Sequence, residues 1–325
     1  MASVSSNSSV PSQAATEVWL PVPPDEIDGL PGSLTYRFWD GGPDFPADPA
    51  RCAFYVVPYM KGTEVAVRPL RRMTGVRVVQ TLTAGIDHVT QAVPDLPSGT
   101  QLCNARGVHD TSTAELALTL TLASLRGIPE FVRAQPSGSW LPGVHPALAD
   151  RSVLIVGYGA VGSAIEDRLI PFEVAEVLRV ARTARTTARG PVHALSELPD
   201  LLPRADVVIL SLPLTEATRG LAGKDFLSGM RDGALLVNVG RGAVVDTGSL
   251  LDELTSGRLR AALDVTEPEP LPADHPLWQA PGVLISPHVG GPTTAFLPRA
   301  KRLLSAQLQR WAAGEPLEHV LVTAD

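Results

Sequence analysis

The sequence predicts an α/β protein of two doubly wound parallel-sheet domains with a cleft between them. Three observations lead there. At 325 residues the chain can fill two domains of ordinary size. Short apolar, β-branched runs alternate with helical stretches along most of its length. Near the middle, one such run opens directly into Gly157-Tyr158-Gly159-Ala160-Val161-Gly162.

In chain order, residues 1–16 are rich in Ser, Ala and Asn, have neither a basic nor an apolar signal region, and read as a disordered leader. Strand-like runs follow at 18–22, 34–39, 53–57, 76–82 and 101–105, between polar and Pro/Gly-rich connections. At 112–126 the period changes: Leu116, Leu118, Leu120, Leu122 and Leu125 among Ala and Thr form an almost wholly apolar helix. Ser112-Thr113-Ala114-Glu115 is a candidate cap for its start. A helix that apolar has to be buried, between domains or between subunits. Residues 128–150 carry Pro129, Pro136, Pro142 and Pro146 and read as an irregular arm. Six further strand signals, at 152–156, 177–181, 206–210, 235–239, 261–265 and 283–286, describe a second doubly wound sheet. The closing stretch, 293–313, has helical spacing and is expected to return to the first domain.

Composition removes several function classes. With 27 Lys and Arg against 34 Asp and Glu, the chain has no basic field to attract nucleic acid or an anionic membrane, and no stretch approaches transmembrane length. Cys52 and Cys103 both lie in apolar stretches and read as buried free thiols of a cytoplasmic protein. No Cys/His/Asp cluster suggests a metal, so His88 and His109 read as structural.

The glycine-rich run is a dinucleotide fingerprint in its proper setting. The strand-like Val153-Leu154-Ile155-Val156 precedes it, and Ala164, Ile165 and Leu169 follow at helical spacing. Gly157 allows the tight turn, Gly159 lets backbone N–H groups approach a pyrophosphate at a helix N-terminus, and Gly162 lets helix and strand pack closely. The domains are thus Rossmann-like or flavodoxin-like: a substrate domain of residues 17–107 with 295–325, and a dinucleotide-binding domain of 108–294. About 20 residues beyond the fingerprint an acid would grip a ribose 2′-hydroxyl. This chain has Arg182-Thr183-Ala184-Arg185 there, and Arg182, Thr183 and Arg185 suit a 2′-phosphate. NADP(H) is therefore expected over NAD(H), a merely solvated basic loop being the alternative.

Three turns then follow apolar runs: Gly240-Arg241-Gly242, Glu269-Pro270 and Pro287-His288. In an open α/β sheet the carboxyl ends of the strands border the ligand crevice. Reducing a 2-keto acid needs a cation to hold the carboxylate and polarise the carbonyl, and an acid to protonate the developing alkoxide. Arg241 suits the first task, its flanking glycines leaving room beside the substrate, and His288 suits the second. Glu269 beside His288 would stabilise the imidazolium. Each residue alone has a structural explanation. Together, 28 and 19 residues apart and downstream of a nucleotide fingerprint, they read as an active site.

From about residue 76 to 295 the chain resembles the D-isomer-specific 2-hydroxyacid dehydrogenase family. Besides the fingerprint, the likeness includes Leu212-Pro213-Leu214-Thr215 with Thr218, Val237-Asn238-Val239-Gly240-Arg241-Gly242, Leu263-Asp264-Val265, Glu269-Pro270-Leu271-Pro272, His275-Pro276-Leu277-Trp278 and Pro287-His288-Val289-Gly290-Gly291. The resemblance implies that Arg241, Glu269 and His288 are catalytic and that Asp264 holds the nicotinamide carboxamide. It also implies that Leu212, Pro213 and Thr218 line the adenosine pocket, with Val239, Gly240, His288 and Gly290 also at the cofactor. Thr83-Ala84-Gly85 is similar to the loop whose amides bind the substrate carboxylate, alongside Arg241 and His288. Tyr59 and Met60 are candidates for the substrate pocket wall. Glu269 disfavours a formate dehydrogenase, and Ala84 a phosphite dehydrogenase. The Asp264-Val265-Thr266 sequence and the basic loop most resemble glyoxylate/hydroxypyruvate reductases. The expectation is an NAD(P)-dependent homodimer acting on small 2-keto and 2-hydroxy acids. The alternatives are a corepressor-like nucleotide-sensing protein of the same fold, or a phosphoglycerate dehydrogenase-like enzyme without a regulatory domain.

Overall fold

The computed structural model describes residues 16–324, so the expected leader lies outside the described residues except for Thr16. The chain divides into two compact units, one formed by residues up to Ala105 and from Arg299 onward, the other by Arg106–Pro298.

The first unit is a sheet of β1 (Glu17–Leu20), β2 (Thr35–Phe38), β3 (Cys52–Val56), β4 (Val78–Gln80), β5 (Gln101–Cys103) and β14 (Val320–Thr323), in the order β14-β5-β4-β3-β1-β2. The pairs among the first five are parallel. Every residue of β1 and β3 is buried, as strands covered on both faces should be. β14 was not anticipated. It adds antiparallel to β5, a non-local pairing that four exposed residues, Val320 to Thr323, do not announce. In the closing helix, Phe296–Ala313, Ala300, Leu304 and Leu308 form the buried stripe at intervals of one turn. Its Gln307 donates to Gln80 Oε1 and to the Glu318 carbonyl, at 2.9 Å each, which satisfies a fully buried amide.

The second unit holds β6 (Ser152–Val156), β7 (Glu176–Ala181), β8 (Arg185–Thr187), β9 (Gly190–Ala194), β10 (Val207–Leu210), β11 (Leu235–Asn238), β12 (Arg260–Leu263) and β13 (Val283–Ile285), in the order β13-β12-β11-β10-β6-β7-β9-β8. After β6 the chain builds outward through β7, then returns to place β10 on the other side of β6. That reversal makes the carboxyl end of β6, where the fingerprint begins, the topological switch point at which such sheets bind ligands. The sequence signals predicted six strands here; the structure adds the β8–β9 edge hairpin, of which only Val192 is buried.

Two expectations change around the arm. Residues 128–150 are not wholly irregular, because Ile128–Ala134 is a short helix. Pro129 sits in its first turn, where a missing N–H costs nothing. The apolar helix, Asp110–Leu125, is already covered within its own unit. It packs on the Ala160–Leu169 helix and on β11 and β12 through residues such as Ala114, Ala117, Leu118 and Leu125. The arm itself exposes Val132, Leu141, Val144 and Trp140, the last 91% exposed. Cys52 and Cys103 are buried free thiols. Among the described residues no helix is long and apolar enough to cross a membrane.

Candidate active site

At the switch point the fingerprint glycines have separate jobs. Gly157 has φ +107°, and a Cβ there would stand 2.7 Å from the Ser211 carbonyl carbon, so no larger residue fits the turn. A Cβ on Gly162 would lie 2.7 Å from the Gly157 carbonyl oxygen, which is the close helix–turn approach. A Cβ on Gly159 would meet nothing within 4 Å, so the backbone faces open space at the start of the Ala160–Leu169 helix. A helix N-terminus bordered by such space fits a pyrophosphate. The N–H groups of Gly157 and Tyr158 are not part of that surface, since both donate to the Val180 carbonyl, at 2.9 and 2.8 Å.

Tyr158 anchors the turn. Its side chain is buried and donates to Glu166, which also accepts from Arg179 Nε at 2.8 Å. Burial raises the Tyr158 hydroxyl, and the Glu166 carboxylate raises it further. Burial would likewise raise Glu166, but the bonds from Arg179 and Tyr158 and the charges of Arg179 and Arg189 outweigh it and leave the carboxyl low. Sequence reasoning missed this group. Its signal was an acid beside Ile165, on the buried face of an amphipathic helix, and an arginine inside the strand Glu176–Ala181.

The predicted basic loop forms the turn from β7 into β8. Arg182 and Thr183 are exposed, while a guanidinium nitrogen of Arg185 donates to the Tyr158 carbonyl at 2.6 Å. Leu212 is buried behind Gly157 and Gly240. Thr218 is buried too, and its hydroxyl donates to the Pro213 carbonyl at 2.7 Å and accepts from Thr215 N–H at 2.8 Å. Thr218 therefore shapes the 212–218 turn.

Arg241, Glu269 and His288 all belong to the second unit, on turns that follow β11, β12 and β13. Arg241 donates to its neighbour's carbonyl, Gly240 O, at 2.9 Å, and the Asn238 amide donates to Arg241 O at 3.0 Å and accepts from Gly240 N–H at 3.0 Å. The flanking glycines serve backbone packing more than substrate space. A Cβ on Gly240 would lie 2.6 Å from Leu212 O, and one on Gly242 only 1.8 Å from Thr266 O. His288 sits in the left-handed region, φ +53°, a conformation that costs a non-glycine residue free energy. Asp264 holds it there. Buried, its carboxylate accepts from Ser286 Oγ at 2.6 Å, Val289 N–H at 2.9 Å and Gly290 N–H at 2.9 Å, and its carbonyl accepts His288 N–H at 2.8 Å. Val239 and Gly290 are buried beside these turns.

His288 Nδ1 and Glu269 Oε1 lie 2.5 Å apart. The bond from His288 is the main cause that lowers the Glu269 carboxyl; burial opposes it, while the charges of His288 and Arg241 and a backbone bond from Thr266 add to it. Glu269 is thus ionised throughout the neutral range, and imidazole Nε2 is directed away from the pair. A fixed cation and a carboxylate-backed imidazole can polarise an oxygen and exchange a proton with it.

In the first unit, the Thr83–Gly85 loop is bound through its carbonyls. Thr83 O accepts from Ala105 N–H at 2.9 Å, Ala84 O from Asn104 Nδ2 at 2.7 Å and Gly85 O from Thr83 Oγ1 at 2.6 Å. The N–H groups of Thr83, Ala84 and Gly85 make no such bond among the described residues. Met60, φ +57°, is exposed in this unit. In the second unit His109 stacks on Phe296 at 5.2 Å between ring centroids, with Nδ1 3.3 Å from Gly291 O.

The family model for the D-isomer specific 2-hydroxyacid dehydrogenase NAD binding domain matches residues 118–290. Human glyoxylate reductase/hydroxypyruvate reductase is 35% identical over 251 residues, 74% of this chain and 75% of the human protein. The D-3-phosphoglycerate dehydrogenase of Methanocaldococcus jannaschii is 28% identical over 285 residues, 82% of this chain but 51% of that protein. A D-isomer specific 2-hydroxyacid dehydrogenase from Xanthobacter autotrophicus Py2, solved in complex with NADPH and MES, superposes with a TM-score of 0.79 at 28% identity, covering 95% of this chain and 98% of that one.

Proposed function

The chain belongs to the D-isomer specific 2-hydroxyacid dehydrogenase family, as an NAD(P)-dependent oxidoreductase acting on CH–OH groups, and we propose that it reduces glyoxylate, hydroxypyruvate or similar small 2-keto acids with NADPH. The observation that carries this reading is the His288–Glu269 pair, 2.5 Å apart on strand-end turns of the unit that bears the fingerprint, with Arg241 close enough to lower Glu269.

When bound, the nicotinamide supplies the hydride. Arg241 binds the 2-keto acid and draws electron density onto its carbonyl oxygen. His288, charged and backed by Glu269 at Nδ1, delivers a proton from Nε2 to the oxygen that becomes the hydroxyl. In the oxidative direction neutral His288 takes that proton back. The N–H groups of Thr83, Ala84 and Gly85 are suited to a carboxylate, and Asp264 keeps the His288 turn in place. The name of the human relative supports the substrate class, and the NADPH bound to the Xanthobacter enzyme supports the cofactor.

The test is a panel of 2-keto acids, including glyoxylate, hydroxypyruvate and 3-phosphohydroxypyruvate, followed by NADPH and NADH absorbance. Glyoxylate or hydroxypyruvate should give the highest kcat/KM. A preference for the phosphorylated acid would select the phosphoglycerate dehydrogenase-like alternative, and nucleotide binding without turnover the corepressor-like one.

NADPH should be preferred over NADH. Charge-assisted contacts to a phosphate contribute roughly 1.5 to 3 kcal/mol each, so one well-placed arginine favours NADPH by about tenfold or more. Arg182→Ala/Arg185→Ala should erase most of that ratio. An NADH preference in the wild type, or an unchanged ratio in the double variant, would leave Arg182, Thr183 and Arg185 as a solvated turn.

Glu269→Gln should move the acid-requiring limb of the reductive pH profile to lower pH. The Glu269 carboxyl is lowered and so ionised across neutral pH, and the substitution removes the negative charge that faces the imidazole which must give up the proton. An unchanged limb with chemistry limiting the rate would separate the two residues.

We also propose a homodimer that covers the apolar arm, with Trp140 packed against the second copy. Light scattering at micromolar concentration should give twice the 34.3 kDa chain mass; a monomer there would overturn it.

A further inference from the structure

The β8–β9 hairpin is attached weakly by strand pairing. It meets β7 through Val180↔His193 and Ala181↔Ala194 alone, and β8 is the outermost strand of its sheet. Yet the turn into this hairpin carries Arg182 and Thr183, which a phosphate pocket would need in fixed places. Side chains supply the attachment. The Glu166 carboxylate, 6% exposed, accepts from the Tyr158 hydroxyl, from Arg179 Nε at 2.8 Å and from a second Arg179 nitrogen. The Arg179 guanidinium lies 5.8 Å from the Tyr158 ring centroid. Arg189, at the hairpin tip, stands 3.8 Å from Glu166, pairs with Asp167 and donates to the Ser163 carbonyl at 3.2 Å. Arg185, at the other end of β8, donates to the Tyr158 carbonyl. Fingerprint turn, helix, β7 and both ends of β8 are thus tied together around residues 182–185.

We propose that Glu166 and the Asp167–Arg189 pair latch the basic hairpin to the dinucleotide turn and so set the selectivity for an adenosine 2′-phosphate over a free 2′-hydroxyl. This rests on the NADPH reading and makes Glu166 a positioning residue. Neither polarisation of the carbonyl nor proton transfer uses it.

Charge and position make opposite demands. Glu166 and Asp167 are negative groups beside a phosphate pocket. If they acted only through charge, neutralising either would tighten phosphate binding. If they act as a latch, neutralising either releases the arginine-bearing turn and weakens it.

The test is titration calorimetry of the full chain with adenosine 2′,5′-bisphosphate and with adenosine 5′-monophosphate. Glu166→Gln, whose amide oxygen can still accept from the Tyr158 hydroxyl, should weaken the bisphosphate about tenfold, the scale of one lost charge-assisted contact, and the monophosphate by less than about twofold. Asp167→Asn, on a half-exposed carboxylate, should shift it the same way by a few-fold and carries the test if Glu166→Gln does not fold. Bisphosphate binding that is unchanged or tighter in the variants, or equal weakening of both probes, overturns the latch. A wild type that binds the two probes alike overturns the NADPH reading, and the latch with it.

Discussion

Arg241→Ala should lower kcat/KM for every accepted 2-keto acid by a factor of ~100 or more while changing the dissociation constants of NADPH and NADH by less than about twofold. The size follows from the job: a planar cation with two parallel donors is removed from an oxygen that gains charge on the way to the alcohol. The selectivity follows from position. Arg241 is held by Gly240 O and lies near the Glu269–His288 pair, whereas the fingerprint turn is built on Val180, Ser211 and Leu212. Arg241→Lys should restore part of the rate, because charge survives and the fork does not. Wild-type reduction rates in Arg241→Ala would remove the residue from the active site, and an equal loss of cofactor affinity would place it at the dinucleotide.

Much of this was legible in the sequence because the signals are local. A run of four β-branched or leucine residues leading into Gly157-Tyr158-Gly159 states both the element and its ligand, and β6 is that run with Ser152 before it. The three turns carrying Arg241, Glu269 and His288 could be read in the same way, since each follows a short apolar run that forms a parallel strand. What the sequence hid is non-local. The four exposed residues of β14 become a strand only because β5 offers them an edge. The β8–β9 hairpin has Gly190 and Pro191 where alternation should be, and it owes its place to arginines reaching other elements. Glu166 and Arg179 lie on different elements, and only the β6–β7 crossover brings them together. The apolar helix packs one side on the Ala160–Leu169 helix, on β11 and on β12, a partnership that its own sequence does not announce.

Gly242→Ala should cost roughly 3 kcal/mol of stability, the upper end of overpacking penalties, and lower the unfolding temperature by about 6 to 12 °C for a domain of this size. The backbone of Gly242 is not in a left-handed conformation, so the argument is contact alone. An added Cβ would stand 1.8 Å from the Thr266 carbonyl oxygen, 2.1 Å from its carbon and 2.9 Å from Glu267 N, all backbone atoms that no rotamer change can move aside. One of the two turns has to yield. Either movement reaches the proposed active site, because Gly242 follows Arg241 directly and Thr266 begins the segment that carries Glu269. Catalytic efficiency should therefore fall by a factor of ~100 or more even at temperatures where the variant is folded. Gly248→Ala is the control six residues on. In the first turn of the Thr247–Thr255 helix, its Cβ would meet only Asp246 Oδ1 at 3.6 Å, so it should be neutral or stabilise the protein by up to about 1 kcal/mol. If Gly242→Ala matches Gly248→Ala in unfolding temperature and activity, the two turns are not in backbone contact, and packing of Gly242 against Thr266 is not what holds Arg241 beside Glu269 and His288.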